Sequence, residues 1–252
     1  KYFYLKKRLT AQEREKLYSL GEKGIIFEPF QSRIYPHSEL YSHILGQTDD
    51  DNYGVSGIEN FFDRELRDVK KIKEPLKLTL DTNLQFLIKK ELEKSVEDFK
   101  AKGAASLLMD VKSGEILSLV SLPDYNINMR KNINDPIYSN KITKSVFELG
   151  SVFKTFTIAL ALEKKILLPT TIIEDIPENI ICSKYKISEH EKLPNELSVK
   201  EILVRSSNIG STIIAQKIGE ESFKEFFEKL GLLKTPDLEL EEVGTPLSFN
   251  WE

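Results

Sequence analysis

The chain has 252 residues, 40% of them hydrophobic and 30% charged, with acids and bases interspersed and a formal net charge of −4. That balance fits a globular chain of one large domain, or one domain plus a smaller module, and it argues against a nucleic-acid partner because no basic stripe stands out. The lone cysteine, Cys182, excludes an intrachain disulfide, and no run approaches the ~18 apolar residues needed to span a bilayer.

The opening stretch, KYFYLKKRLT, has no initiator Met, no long apolar core and no cleavage site, so it does not read as a signal peptide. It is expected to belong to a longer chain, with any membrane anchor outside these residues. LTAQEREKLYSLGEKG predicts a short helix: Thr10 and Glu13 have capping-box spacing, and Gly21 sits where a C′ glycine belongs. The stretch from Ile25 to Val69 is rich in Gly, Pro and acidic residues (Gly46, Gly54, Gly57, DDDN) and reads as a turn-rich, irregular module. Within it SGIENFFDREL predicts another helix start, with Ser56 and Glu59 three apart. The charged KKIKEP, Lys70–Pro75, is the expected module boundary, separating residues 1–74 from 75–252.

After the boundary LKLTL alternates as a strand does, and Thr82 with Gln85 repeats the capping-box spacing. The helix that follows carries Leu84, Leu87, Ile88, Leu92, Val96 and Phe99 as a core-facing stripe, with Gly103 as its stop. AASLLMDVKSGEILSLVSL, Ala104–Leu122, predicts a hairpin of two buried strands turning at KSG, with Gly114 free to take a positive φ. A long Pro/Asn-rich loop leads to Gly150. Three further helices are predicted: LSVKEILVRSS with Ser198 and Glu201 as a capping box, NIGSTIIAQKIG with Ile213, Ile214 and Ile218 on one side, and ESFKEFFEKLGL with Phe223, Phe226, Phe227 and Leu230 ending at Gly231.

Two short patterns carry possible chemistry. In GSVFKTF, Ser151 opens an apolar segment and Lys154 follows one helical turn later on the same face. A neutral lysine is a base, and burial against Leu149, Phe153 and Phe156 would depress its pKa toward that state, giving a Ser–Lys nucleophile–base pair. Serine is also a favoured N-cap and a lysine one turn in is ordinarily solvated; the same tetrad recurs at Ser183–Lys186, so the spacing alone decides nothing. Ser206-Ser207-Asn208 falls in the turn between two predicted helices, where a hydroxyl can relay a proton and an amide can hold a substrate carbonyl. Capping by Ser207 or Asn208 is the plain alternative, and S-x-N recurs at Ser248–Asn250. His37, His43 and His190 are scattered and have no ligand spacing with Cys182, and there is no phosphate-binding glycine loop, so neither metal nor cofactor is expected.

S-x-x-K followed by S-x-N is the order of the penicillin-binding protein and serine β-lactamase superfamily. With SRIYP, ILGQTDDDNYGVSGIENFFDREL, TLDTNLQFLIKKEL, GAASLLMDVKSGEILSLVSLPDYNIN and FELGSVFKTFTIALALE in that family's order, nearly the whole chain resembles a class B penicillin-binding protein. The SSN form and GQTDDDNYGVSGIE look more like the septal, division-associated (FtsI-like) type. The resemblance implies an α+β fold: an irregular N-terminal pedestal module, residues 1–74, then the first part of a transpeptidase domain, residues 75–252, with helices on a mainly antiparallel sheet. It implies Ser151 as the acylated nucleophile, Lys154 as its base, Ser206 as the proton-relay hydroxyl, Asn208 as the substrate-amide contact and the Ser151 backbone N–H as half of an oxyanion hole. The implied reaction is peptidoglycan D,D-transpeptidation with no cofactor, on stem peptides and with β-lactams as inhibitors. The implied setting is the outer, periplasmic face of the cytoplasmic membrane among division or elongation proteins.

Three features depart from the family pattern. Leu149 replaces the proline usual before the glycine of the first motif. No K-T-G or K-S-G follows Asn208: Lys112–Gly114 precedes Ser151 and reads as a turn, and the proline of Lys234–Pro236 lacks the N–H a substrate-binding strand must offer. The final GTPLSFNWE resembles a stretch upstream of the K-T-G strand, so the chain is expected to stop before it and to leave a sheet edge open. The alternatives are a β-lactamase or D-Ala carboxypeptidase on the same fold, against which the pedestal-like module argues, and a non-catalytic division scaffold.

Overall fold

The computed structural model describes residues 3–68, 74–129, 135–182 and 184–247. The chain forms two compact units, residues 1–145 with 237–244 and residues 146–236 with 245–252. Much of the segment Lys70–Pro75 lies outside the described residues, and the units meet in sequence at Ser145/Val146. All described strand pairs are antiparallel, and they form three two-stranded ribbons mixed with helices, an α+β chain.

In the first unit α1 (Ala11–Ser19) forms with the expected capping box between Thr10 and Glu13, and Gly21 takes a φ of +64°. The short helices α2 (Ser42–Leu45), α3 (Gly57–Phe61) and α4 (Asp63–Arg67) follow. The helix start expected at SGIENFFDREL is present, with Ser56 as the cap of α3, but Ser56 and Glu59 form no capping box. The Ser56 hydroxyl accepts from the Gln47 N–H at 3.0 Å, and Glu59 turns instead to the Tyr35 hydroxyl at 3.1 Å and to Arg33 at 3.2 Å. The Gly57 N–H at the head of α3 donates to the Glu242 carboxylate at 3.0 Å. Gly57 has a φ of +59°, and a Cβ there would lie 2.4 Å from the Ile44 carbonyl, so only glycine fits this crossing. SRIYP and PDYNIN are tied together through Asn128, whose amide accepts from the Tyr35 N–H at 3.0 Å and donates to the Tyr35 carbonyl at 2.9 Å.

Helix α5 (Thr82–Asp98) packs on the hairpin of β1 (Ala104–Met109) and β2 (Ile116–Leu122). Its cap is Asp81, not Thr82: the Asp81 carboxylate accepts from the Asn83 and Leu84 N–H groups at 2.8 and 2.9 Å. Thr82 is engaged by the Tyr41 hydroxyl at 2.7 Å. Leu84, Ile88, Leu92 and Val96, spaced by four, form the partly buried face, while Leu87 and Phe99 stand in solvent. Gly103 is not the helix stop; the helix ends at Asp98, and a Cβ on Gly103 would press on the Leu122 carbonyl at 2.6 Å.

Gln85 completes this unit. It is 1% exposed. Its amide donates to the Leu40 carbonyl at 2.9 Å and the Leu119 carbonyl at 2.8 Å, and accepts from the Ser118 hydroxyl at 2.8 Å and the Leu119 N–H at 3.0 Å. It thus acts as a one-residue strand along β2. The hairpin register runs from Ala104↔Leu122 to Leu108↔Ser118 and then slips to Met109↔Ile116, leaving Leu117 as a bulge whose carbonyl accepts from the Asp81 N–H at 2.9 Å. Gly114 turns the hairpin with a φ of +78°. The expectation of two buried strands holds for β2 alone. Residues 118–122 are buried, whereas Leu107, Leu108 and Met109 on β1 are exposed, and among the described residues β1 pairs only with β2.

The second unit is built on α6 (Lys154–Glu163), preceded by a 3₁₀ turn at Gly150–Phe153. Two narrow ribbons follow: β3 (Ile172–Ile173) with β6 (Leu197–Ser198), and β4 (Asn179–Cys182) with β5 (Tyr185–Ser188). Helices α7 (Val199–Val204), α8 (Asn208–Ile218) and α9 (Glu220–Lys229) close the unit, with the predicted Ser198–Glu201 capping box in place. Ile158, Leu160, Ala161, Ile202, Ile209, Ile214 and Phe227 make the core, and Phe153 meets Phe227 edge-on at 5.3 Å. Burial of these side chains fixes α6 against α7 and α8, and so fixes the turn between α7 and α8 relative to Lys154.

Two predictions concern the first unit. Gln85→Ala strands several buried backbone groups and is expected to lower its stability by about 3 kcal/mol in urea unfolding. Gln85→Glu should also destabilise, since a carboxylate cannot donate to the Leu40 and Leu119 carbonyls. His43 is buried, with Nε2 3.0 Å from the Pro123 carbonyl and no partner at Nδ1 among the described residues, and burial pushes its pKa below 6.5. The folded state therefore keeps His43 neutral while the unfolded chain protonates it, so this stability is full above pH 6.5 and drains away as pH falls below it. Thermal midpoints measured from pH 7 to pH 5 should fall less steeply in His43→Gln than in the unsubstituted chain.

Candidate active site

Gly150 enters the 3₁₀ turn with a φ of +55° and open space where a Cβ would point, so the position demands left-handed backbone rather than room. Leu149, in place of proline, precedes it in ordinary right-handed conformation and is half exposed. Ser151 lies in the 3₁₀ turn and is exposed, and Lys154 is the first residue of α6. The Ser151 N–H therefore sits at the positive end of a helical segment, where developing negative charge is favoured.

Lys154 Nζ donates to the Ser206 carbonyl, to Ser206 Oγ at 3.0 Å and to Asn208 Oδ1 at 2.6 Å. An ammonium has three hydrogens, and all three meet an oxygen supplied from 52 and 54 residues away. Ser206 reaches this position in left-handed conformation, φ +55°, a state uncommon for a residue with a Cβ. Burial pushes the Lys154 pKa below that of a free lysine, and the charge of Glu189 opposes the shift without cancelling it. Ser151 and Lys154 are neighbours on one turn but are not hydrogen bonded to each other. The structure thus brings Lys154, Ser206 and Asn208 into contact and places Ser151 at the head of the same helix.

Ser207 is the cap of α8, its hydroxyl accepting from the Gly210 N–H at 2.9 Å. In this motif the flanking residues face Lys154 and the middle serine caps. Asn208 is held at both ends of its amide, accepting from Lys154 and donating to the Ser188 carbonyl at 2.9 Å. Glu189, which follows β5, accepts from Ser207 Oγ at 2.6 Å and from the Asn208 and Ile209 N–H groups at 2.8 and 3.0 Å. Sequence reasoning missed Glu189: in KISEHEK nothing distinguishes it from Glu191. The β4–β5 hairpin that delivers it was also unread, although two Ile-containing runs two residues apart are a hairpin signal.

The competing motif copies lie elsewhere. Lys186 is in β5 opposite Ile181, while Ser183 and Ser248–Asn250 are outside the described residues. Lys112–Gly114 forms the hairpin turn, with the Lys112 and Ser113 N–H groups bonded to Asp110. Lys234–Pro236 lies in the irregular stretch after α9.

With this geometry in hand, comparison with known proteins places the chain. It belongs to the penicillin binding protein family, whose transpeptidase domain matches residues 104–251. Within that family it groups with the class B, FtsI-like members. It is 32% identical over 241 residues to a probable peptidoglycan D,D-transpeptidase FtsI of Caulobacter vibrioides, covering 95% of this chain and 41% of the relative. It is 27% identical over 266 residues to peptidoglycan D,D-transpeptidase FtsI of Escherichia coli K12, covering 95% of this chain and 44% of the relative. Penicillin binding protein 3 of Mycobacterium tuberculosis, solved with ampicillin, shares the fold with a TM-score of 0.73 at 22% identity, covering 85% of this chain and 49% of that one. The chain spans less than half the length of these curated relatives.

Proposed function

We propose that this chain carries the acylation machinery of a peptidoglycan D,D-transpeptidase working through a serine acyl-enzyme. The observation that supports this most is the convergence of Ser206 and Asn208 on a partly desolvated Lys154 one turn from Ser151. On this reading neutral Lys154 takes the Ser151 hydroxyl proton as Oγ attacks the penultimate D-Ala carbonyl carbon. The oxyanion forms beside the Ser151 N–H at the helix head. The C–N bond to the terminal D-Ala then breaks, and the leaving amine takes its proton from Lys154 through Ser206. A hydroxyl suits that relay, because it accepts from the ammonium and, by rotating, donates to the neutral amine. An amine of a neighbouring stem attacks the Ser151 ester, and its proton returns to Ser151 Oγ by the same route. Asn208 has one amide hydrogen beyond the one given to Ser188, and that hydrogen is its means of holding a substrate carbonyl.

β-Lactams react at the same serine, with the ring-opened inhibitor remaining as the ester. A septal role, stem peptides as substrate and division-complex membrane proteins as partners belong to the proposal and rest on the FtsI-like character of the chain. So does a place on the outer face of the cytoplasmic membrane; among the described residues no helix is long and apolar enough to cross a membrane.

The test is labelling of the full protein with a fluorescent penicillin and mapping of the adduct by mass spectrometry. A stable ester on Ser151, lost in Ser151→Ala, is expected, and Lys154→Ala should slow its formation by about 10²–10⁴-fold, the ordinary share of a general base. Rapid release of the adduct would indicate a β-lactamase, and no adduct at all would overturn the catalytic reading.

A further inference from the structure

We propose that Glu189 is a positioning residue of this site: its carboxylate clamps the turn that presents Ser206 and Asn208 to Lys154, and it sets the negative field in which that amine works. The inference deepens the transpeptidase reading and rests on it for its catalytic consequence.

The turn has a structural difficulty. Ser206 must hold a left-handed φ of +55° so that both its carbonyl and its hydroxyl face Lys154. Such a backbone persists only where its surroundings over-determine it. On the C-terminal side of Ser206, Glu189 supplies that determination. Its two oxygens take the Ser207 hydroxyl and the N–H groups of the next two residues, fixing the first turn of α8. A carboxylate is matched to this place, because it accepts only and because negative charge is favoured at a helix N-terminus. Ser188, the residue before it, holds the Asn208 amide, so two consecutive residues leaving β5 fasten the whole motif.

The second effect is electrostatic. Lys154 is bonded by the uncharged Ser206 and Asn208 of the α7–α8 turn, and Glu189 is bonded to the same turn at the Ser207 hydroxyl and the Asn208 N–H. Glu189 is the charged group among the described residues whose field acts on it, and that field raises its pKa against the lowering by burial. His190 and Glu191 lie next in sequence and are exposed. Removing the Glu189 charge therefore takes away one opposition to burial and lowers the Lys154 pKa further. A residue that only held the turn in place would, once removed, let water reach Lys154 and raise that value instead.

The decisive experiment titrates Lys154 by NMR in the full protein carrying ¹³Cε-lysine, with Lys154→Arg assigning the resonance, and compares the unsubstituted protein with Glu189→Gln and Glu191→Gln. Glu189→Gln is expected to move the Lys154 midpoint to lower pH, while Glu191→Gln leaves it near its original value. An unchanged or raised midpoint in Glu189→Gln overturns the field assignment, and does so whether or not the protein reacts with β-lactams. In parallel, penicillin acylation at Ser151 should slow by about 10–10²-fold in Glu189→Asp, whose shorter arm misplaces the turn. Normal acylation in that variant overturns the clamp. Failure of the unsubstituted protein to acylate would instead overturn the transpeptidase reading.

Discussion

Everything proposed for this chain hangs on one amine. Lys154 Nζ has three hydrogens and three oxygen partners, all from Ser206 and Asn208. That saturation says two things. As an ammonium the group is fully satisfied, so burying it partly is tolerable. As a neutral amine it must give up one donor, and the partner able to adapt is the Ser206 hydroxyl, which can reverse its role. On the proposed reading, the same contacts that satisfy the ammonium also provide the path by which the proton moves. The balance is set by burial, which favours the neutral form, against the Glu189 charge, which favours the ammonium.

Polar side chains do similar work throughout the chain. Gln85 pairs with β2 as a strand would, Asn128 bonds both backbone groups of Tyr35, Glu242 takes the Gly57 N–H at the head of α3, and Glu189 takes the first N–H groups of α8. The strands here are short and the helices numerous, so many backbone groups have no ladder to join. Buried backbone groups must be paired regardless, and side-chain amides and carboxylates meet that demand. Each such side chain holds one particular pair of segments together, a specificity that apolar burial alone does not give.

The sequence made the helices and the β1–β2 hairpin legible because their apolar periodicity is local. It made Ser151, Lys154, Ser206 and Asn208 legible as candidates, because two motifs in a fixed order carry more information than either alone. It misled where a local signal had two readings. Thr82 with Gln85 has capping-box spacing, but the preceding Asp81 competes for the cap, and Gln85 gains more from four buried hydrogen bonds than from one exposed one. Ser56 and Glu59 lose their box for the same reason, each drawn to a tertiary partner. The two-residue strands β3 and β6 are too short to show any period, and Glu189 is defined only by what it touches.

The Lys154 assignment can be tested without any substrate. In the full protein the second-order rate constant for penicillin acylation, followed against pH, reports the free enzyme's base. A base that must be neutral gives a rate that rises with pH through its pKa. The account predicts that rise with a midpoint below the free-lysine value of 10.5, and its loss in Lys154→Ala. A profile with no rising limb below pH 10.5, or one that survives in Lys154→Ala, would contradict it.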